Sequence, residues 1–362
     1  MAEVAPIAPL LGMGVLSRAW VRSVLEVAGF EAAKRLEHVR VVALSSEAGA
    51  FGDVYRLQLA YAGSARNAPR SLIVKLASHV AANRAQARSF DMYAREARFY
   101  RDLAPALTLR VPSCICTGCG EGSADAVLVL EDLGSLPKGD QLTGLDPDRA
   151  ELAVRQMAGV HAQWWESERL GHLGWLQPLG RWSNNRIADE CNQRWPAFAR
   201  TYRAYLEDGG HGLRARLLAD LDDALTSLAS RPMTFLHGDF RADNLFFDVA
   251  SRERPVAVID WQLCCRGRAA FDVAYLICQS VRVEDRRRHE VSILRSWHSS
   301  LVGAGVSGYS FDDAVADYRR GAQLCLAYAV LGSALERTGR AAAEARAQVE
   351  RTVAAALDLV VA

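Results

Sequence analysis

An excess of either charge is what this 362-residue sequence lacks most plainly: 43 Lys and Arg stand against 42 Asp and Glu, for a formal net charge of +1. Without a basic surplus there is no electrostatic footprint for nucleic acid, and without an acidic tail no sign of a disordered partner segment. Long apolar runs are missing as well. The patch from Ile7 to Leu16 follows Pro6, is broken by Pro9, Gly12 and Gly14, and has only Glu3 as a charge ahead of it. A membrane span wants about twenty unbroken apolar residues and a signal peptide a positive start, so the expectation is a cytoplasmic chain with no membrane partner. Cysteine is present eight times but lacks a metal pattern. Cys114, Cys116 and Cys119 cluster in VPSCICTGCG, yet the second knuckle of a structural zinc site does not follow. Cys114 and Cys116 alternate with Ser113, Ile115 and Thr117 as one face of a strand would, which predicts reduced, partly buried thiols. No internal repeat or low-complexity tract is evident beyond an Ala-rich C-terminal helix.

What is there is an ordinary globular composition, half of it hydrophobic, on a chain long enough to bury two modest cores. The chain is organised around Thr234 to Gln262, TFLHGDFRADNLFFDVASRERPVAVIDWQ. His237-Gly238-Asp239 follows the apolar Phe235-Leu236, Asn244 comes five residues after Asp239, and Asp260 closes the run Val256-Ala257-Val258-Ile259. The outer residues, Asp248 with Ser251 to Pro255, read as a solvated hairpin turn. That reading leaves the polar core unexplained. A loop Asp, a nearby Asn and a second Asp at a strand end are what metal-assisted phosphoryl transfer requires: one carboxylate for the attacking hydroxyl, and an amide and a carboxylate for Mg²⁺, which prefers oxygen ligands.

This segment resembles the catalytic and metal-binding loops of the aminoglycoside phosphotransferase and choline kinase superfamily. Phe240-Arg241 after Asp239, and Gln262 after Asp260-Trp261, look most like its ecdysteroid-kinase-like branch. The resemblance implies an α+β, bilobal protein-kinase-like fold: a small antiparallel-sheet N-lobe over 1–133 ending at a hinge, then a larger, mostly helical C-lobe over 134–362. It further implies ATP and Mg²⁺ between the lobes, with Asp239 as the catalytic base and Asn244 and Asp260 as metal ligands. A small-molecule hydroxyl acceptor completes the expectation.

The N-terminal lobe carries weaker signals. Ser17 can cap a helix through Trp20, Val21, Val24, Leu25 and Ala28 that Gly29 ends. His38 to Tyr61 reads as two strands around a turn containing Gly49, Phe51 and Gly52; in the family such a turn covers the nucleotide phosphates. Lys75 interrupts the apolar strand Leu72 to Leu76 and calls for an acid. Glu96 shares a helical stripe with Tyr93, Tyr100 and Leu103, which makes it the expected partner, although a snorkelling lysine would look the same. The resemblance gives this pair the α- and β-phosphates. It also makes the apolar strand Val127 to Leu130 run into the hinge, where the backbone around Glu131 to Leu133 meets the adenine edge.

In the second lobe, His161 lies on the apolar face of a helix through Val154, Met157 and Trp165, and is expected to be a core residue. Trp164, Trp165, Trp175, Trp182, Trp195, Phe198, Tyr202 and Tyr205 either pack the lobe or line an apolar or cation-binding cleft. Asp272 resembles the buried brace of the catalytic loop. Glu284 to Glu290, with Arg286 to Arg288 at its centre, reads as a solvated helix start. The chain has neither the long regulatory loop nor the Ala-Pro-Glu of protein kinases after Asp260, which argues for a small acceptor. A fairly lipophilic alcohol is the favoured acceptor. A cationic aminoglycoside or choline-like alcohol, and a non-catalytic nucleotide-binding protein, remain as alternatives.

Overall fold

The computed structural model describes residues 5–6, 14–44, 51–63, 65–119, 126–180, 187–206, 210–334 and 337–361. Two compact units divide the chain, Met1–Leu107 with Val111–Leu136, and Thr108–Arg110 with Pro137–Ala362. The division therefore falls after Leu136 rather than after residue 133, and the short piece Thr108–Arg110 counts with the second unit.

The first helix of the first unit is α1 (Arg18–Val27), where the Ser17 hydroxyl accepts the Trp20 N–H at 3.2 Å. Gly29 ends it in the left-handed region, φ +82°. Its face of Trp20, Val21, Val24 and Leu25 is buried against Leu57, Leu59, Leu72, Val74, Cys116 and Val129 of a six-stranded sheet. Each such fully buried aliphatic side chain contributes about 1.5–3 kcal/mol. The strands are β1 (Ala5–Pro6), β2 (Leu36–Ala43), β3 (Gly52–Tyr61), β4 (Ser71–Ala77), β5 (Cys114–Cys119) and β6 (Ala126–Glu131), in the order β1-β5-β6-β4-β3-β2. All neighbours are antiparallel except β1 with β5. Helices α2 (Ala81–Ser89) and α3 (Met92–Asp102) lie between β4 and β5 in the chain.

One strand departs from its expected alternation. Cys114 pairs with Leu130 and Cys116 with Val129, so a bulge puts an extra residue into β5. The two cysteines therefore do not share a face: Cys116 is buried against α1, whereas Cys114 lies under the charge of Glu96. Burial pushes both thiols up to about 12, with Cys116 and Glu96 adding to the effect at Cys114. Among the described residues no group of three or more His, Cys, Asp or Glu could hold a metal.

The second unit is helical. Its elements are α4 (Pro147–Gln163), α5 (Glu168–His172), α6 (Ile187–Thr201), α7 (His211–Leu228), α8 (Ala270–Ser280), α9 (Val283–Gly303), α10 (Phe311–Gly332) and α11 (Gly339–Ala356). Every residue of α8 is buried, as befits a helix apolar on all sides, and Gly321 of α10 lets it approach Ala274. No helix among the described residues is long and apolar enough to cross a membrane. Four short strands, β7 (Thr234–Leu236), β8 (Leu245–Phe247), β9 (Val256–Val258) and β10 (Cys265–Gly267), pair as β7 with β10 and β8 with β9. Leu236 sits opposite Cys265, so the chain after Asp260 folds straight back onto β7.

Two sequence expectations change here. Trp164, Trp195, Phe198 and Tyr202 are buried, and the last three belong to the core formed with α7, α10 and α11, because the helices need large side chains to fill their interfaces. They pack the unit rather than line a cleft; Trp182 is outside the described residues. Arg286 is fully buried, not solvated, and holds Glu290 and Asp358, which ties α9 to the end of the chain.

Candidate functional site

Lys75 lies on β4 between residues that point to the α1 core, so period-two alternation sends its side chain to the opposite face. There Nζ meets Glu96 of α3 at 2.6 and 2.8 Å from the two carboxylate oxygens. Glu96 is buried, and the pairing removes the cost of two desolvated charges. Tyr93, one turn earlier on α3, donates its hydroxyl to the Phe51 carbonyl and accepts the Ser78 N–H. Phe51 is thus anchored at the end of the β2–β3 turn, and Gly52 opens β3, where a Cβ would come 3.0 Å from the Leu76 carbonyl. Gly49 lies outside the described residues.

At the far end of the sheet the Glu131 carboxylate accepts the Ser113 N–H at 3.1 Å. Leu133 is buried; its carbonyl accepts from Leu136, and its own N–H has no partner among the described residues. Asp132 accepts a fork from Arg56, Nε at 2.7 Å and Nη2 at 3.2 Å. Burial alone would raise the Asp132 carboxyl; the Gly134 N–H and Arg56 outweigh it and hold it below its ordinary value. Sequence reasoning missed this bracket. The strand position of Arg56 and the acid at the end of β6 are its only local signs.

In the second unit, the loop between β7 and β8 is built on buried donors and acceptors. Asp272 of α8 accepts the His237 N–H at 2.8 Å and the Gly238 N–H at 3.0 Å. Gly238 sits at φ +82°, and a Cβ there would stand 2.2 Å from the Leu263 carbonyl, so only glycine fits. The Trp297 indole, which can only donate, reaches His161 Nδ1 at 3.1 Å. The hydrogen on His161 therefore sits at Nε2 and points to Asp272, 3.3 Å away. His161 is a core residue, as expected, and also the third member of a chain that orients the loop.

His237 connects the two acidic positions. Its Nδ1 accepts the Asp239 N–H at 3.1 Å, which leaves Nε2 to donate to the Ile259 carbonyl at 2.9 Å, next to Asp260. Trp261 lies 4.5 Å from the imidazole by ring centroids and stacks on Phe235. Asn244 donates Nδ2 to the Asp239 carbonyl at 2.9 Å and to its carboxylate at 3.1 Å, while the Asn244 carbonyl accepts the Ile259 N–H. Asp260 occupies the left-handed region, φ +66°, and accepts the Gln262 amide at 3.3 Å. Asp239, Asn244 and Asp260 are thus gathered into one constellation. Asn244 Oδ1 and the Asp260 carboxylate are two oxygen donors of the kind a small divalent cation takes alongside phosphate and water.

Arg241 places Nε 3.2 Å from the Asp239 carboxylate and Nη1 3.1 Å from Asp243. Burial would lower this guanidinium, but Asp239 and Asp243 hold it well above its ordinary value. Tyr275, one turn beyond Asp272 on α8, lies within reach of the Asp239 charge; burial first and that charge second raise its phenol far above the ordinary range. Tyr275 was not anticipated from sequence, although its i, i+3 spacing from Asp272 was the available signal.

Residues 48–305 match the ecdysteroid kinase-like family, which takes in the whole of this constellation and most of the chain. The chain belongs to the ecdysteroid kinase-like family. Its fold is protein-kinase-like and similar to that of a candidate aminoglycoside phosphotransferase from Ralstonia eutropha, at 17% identity over 94% of this chain and 97% of that one with a TM-score of 0.50. A GDP complex of an aminoglycoside 2'-phosphotransferase has the same TM-score, with 12% identity over 88% and 91% of the two chains. This ecdysteroid kinase-like chain is also 25% identical, over 189 residues, to the Arabidopsis thaliana protein named probable acyl-CoA dehydrogenase IBR3. That match covers 50% of this chain and 22% of the relative, so the chain spans only about a fifth of that protein's length.

Proposed function

We propose that the protein is a small-molecule kinase that moves the γ-phosphoryl group of ATP to a hydroxyl of an organic acceptor. The observation that carries this is the Asn244 amide clamped onto both oxygen-bearing groups of Asp239, with Asp260 joined to the same loop through His237 and Ile259. Membership of a kinase-like family supports it.

In this reading Asp239 orients the acceptor hydroxyl and takes its proton as the acceptor oxygen bonds to the γ-phosphorus and the bond to the ADP oxygen breaks. Asn244 and Asp260 would hold Mg²⁺, which when bound neutralises phosphate charge. Lys75, held by Glu96, would meet the α- and β-phosphates, and the Leu133 N–H would meet the adenine edge. The transition state is largely dissociative, so alignment and charge neutralisation carry more of the catalysis than base strength does. Arg241 reaches the Asp239 carboxylate and would fix it.

The acceptor is the open part of this reading. Trp164 and Trp195 are buried and give no support to an aromatic cleft, whereas Trp165 and Trp175 are only half-buried. A relative named as an acyl-CoA dehydrogenase makes hydroxyacyl thioesters one lipophilic class to include. The test is ADP release with MgATP across sterols, macrolides, aminoglycosides, choline analogues and hydroxyacyl thioesters, with Asp239→Asn as control. Acceptor-dependent release that the substitution abolishes is expected. No release with any acceptor, together with no stabilisation by MgATP, would refute the proposal.

A further inference from the structure

Asn244 is the last residue of a single 3₁₀ turn, Ala242–Asn244. A turn this short has poor hydrogen-bond geometry and leaves its first N–H groups without partners of their own, so groups outside it decide where it sits. Residues 137–142 run antiparallel to β8, with Lys138 opposite Phe246. Beyond Asn244, the Gly139 N–H reaches the Leu245 carbonyl at 2.9 Å and the Phe247 N–H reaches the Pro137 carbonyl at 2.8 Å. A Cβ on Gly139 would stand 2.2 Å from the Ala242 carbonyl, so only glycine permits this approach.

Ahead of Asn244 the same segment takes hold again. The Gln141 N–H meets Asp243 Oδ1 at 2.9 Å, while Asp243 Oδ2 accepts Arg241 Nη1 at 3.1 Å. The Ser280 hydroxyl, at the end of α8, accepts the Ala242 N–H at 3.0 Å and donates to Gln141 Oε1 at 3.1 Å. Gln141 Nε2 donates to the Gln279 carbonyl at 2.7 Å. Behind them stands Arg351 of α11. Its Nη1 reaches the Gln141 carbonyl at 2.6 Å and the Gln279 carbonyl at 3.3 Å, and its Nη2 the Leu142 carbonyl at 2.9 Å. Ala242, Gln141, Ser280 and Arg351 are all buried, where a group left unpaired carries its desolvation cost.

We infer that Ser280, Gln141 and Arg351 are positioning residues for the cation: they hold the turn that carries Asn244 and so set the direction of its amide oxygen. Each acts through the turn or the segment beside it. Ser280 caps the turn from another helix, Gln141 joins that hydroxyl to Asp243, and the Arg351 fork fixes Gln141 from α11. Groups behind a metal ligand that fix its orientation change affinity by about 10–100-fold when removed. The inference rests on the kinase reading, which makes Asn244 a ligand.

The test measures Mn²⁺ affinity by electron paramagnetic resonance on the full-length protein with saturating ADP, Mn²⁺ standing in for Mg²⁺. Ser280→Ala removes one hydroxyl and should weaken Mn²⁺ binding about tenfold. Arg351→Met should weaken it too, and Arg351→Lys, which can still donate to a carbonyl, should weaken it less and serves if either of the others fails to fold. Thr352→Ala is the control. Thr352 is equally buried on α11, but its hydroxyl donates to the Gln348 carbonyl of its own helix, so the melting temperature should fall with Mn²⁺ affinity unchanged. Wild-type affinity in folded Ser280→Ala or Arg351→Met overturns the inference, as does an equal loss in Thr352→Ala, which would mark a general effect of stability. Asn244→Ala reports separately on the kinase reading. Unchanged affinity in that variant, or no Mn²⁺ binding by wild type, sinks the metal assignment and the inference with it; a loss in Asn244→Ala with none in Ser280→Ala sinks the inference alone.

Discussion

Asn244 is held on Asp239 through two hydrogen bonds from one nitrogen, to the main-chain carbonyl at 2.9 Å and to the carboxylate at 3.1 Å. Committing the amide nitrogen inward turns the amide oxygen away from Asp239. The same contact therefore fixes a carboxylate and presents a neutral oxygen donor. Both residues are nearly buried, which makes their mutual hydrogen bonds count for more than they would at the surface.

Removal of the Asp239 charge should separate chemistry from binding. Asp239→Asn keeps the shape of the side chain but cannot accept a proton, and turnover should fall by about 10²–10⁴. MgADP affinity, measured by calorimetry, should stay close to wild type. Near-normal turnover in the variant would show that Asp239 is not the base.

The Lys75–Glu96 pair predicts a stability effect distinct from its effect on nucleotide. Lys75→Met leaves the buried Glu96 carboxylate without its cation and should cost about 3 kcal/mol in urea unfolding. Adding Glu96→Gln should return most of that stability, because no unpaired charge remains. Nucleotide affinity should stay low in both variants; its recovery in the double variant would argue against a phosphate contact from Lys75.

Asp272 supports the loop between β7 and β8. Asp272→Asn offers one acceptor where two N–H groups, of His237 and Gly238, need one each. An orphaned buried N–H costs about 1–3 kcal/mol, and Asp272→Ala, which orphans both, should cost about twice that. Turnover should fall along with stability, since Asp239 is the next residue in the chain. A stable variant that turns over normally would remove Asp272 from the loop's support.

The buried thiols make stability depend on alkaline pH. Cys114, Cys116, Cys191 and Cys278 are pushed up to about 12 by burial, from an ordinary value near 9. Because the folded pKa is the higher one, the contribution is complete below the unfolded value and lost as pH rises from about 9 toward 12. Urea midpoints should hold steady from pH 7 to about 8.5 and then decline. At pH 8 these thiols should react slowly with alkylating reagents until the protein is unfolded, since the thiolate is the nucleophile.

Much of the site was readable because its signals are short-range. His237, Gly238, Asp239, Asn244 and Asp260 lie within one hairpin-sized stretch, so their order alone brought them together. The Lys75–Glu96 pair was readable for a different local reason: a charge in an apolar strand and a charge on an apolar helical stripe each need a partner. The tie between His161 and Asp272 was not, since 111 residues separate them.

The α1 face and the short elements around the loop follow from periodicity and turn chemistry, which act over a few residues. The two-part architecture followed from chain length and the family resemblance, and the acidic constellation from the order of its residues together with that resemblance. Only the tertiary structure decided where distant surfaces meet. A bulge in β5 put Cys114 and Cys116 on opposite faces, the helical core claimed Trp195, Phe198 and Tyr202, and α9 buried Arg286. The same packing brought the buried Tyr275 within reach of the Asp239 charge. Each of these depends on what approaches a side chain from another part of the chain, and no local pattern records it.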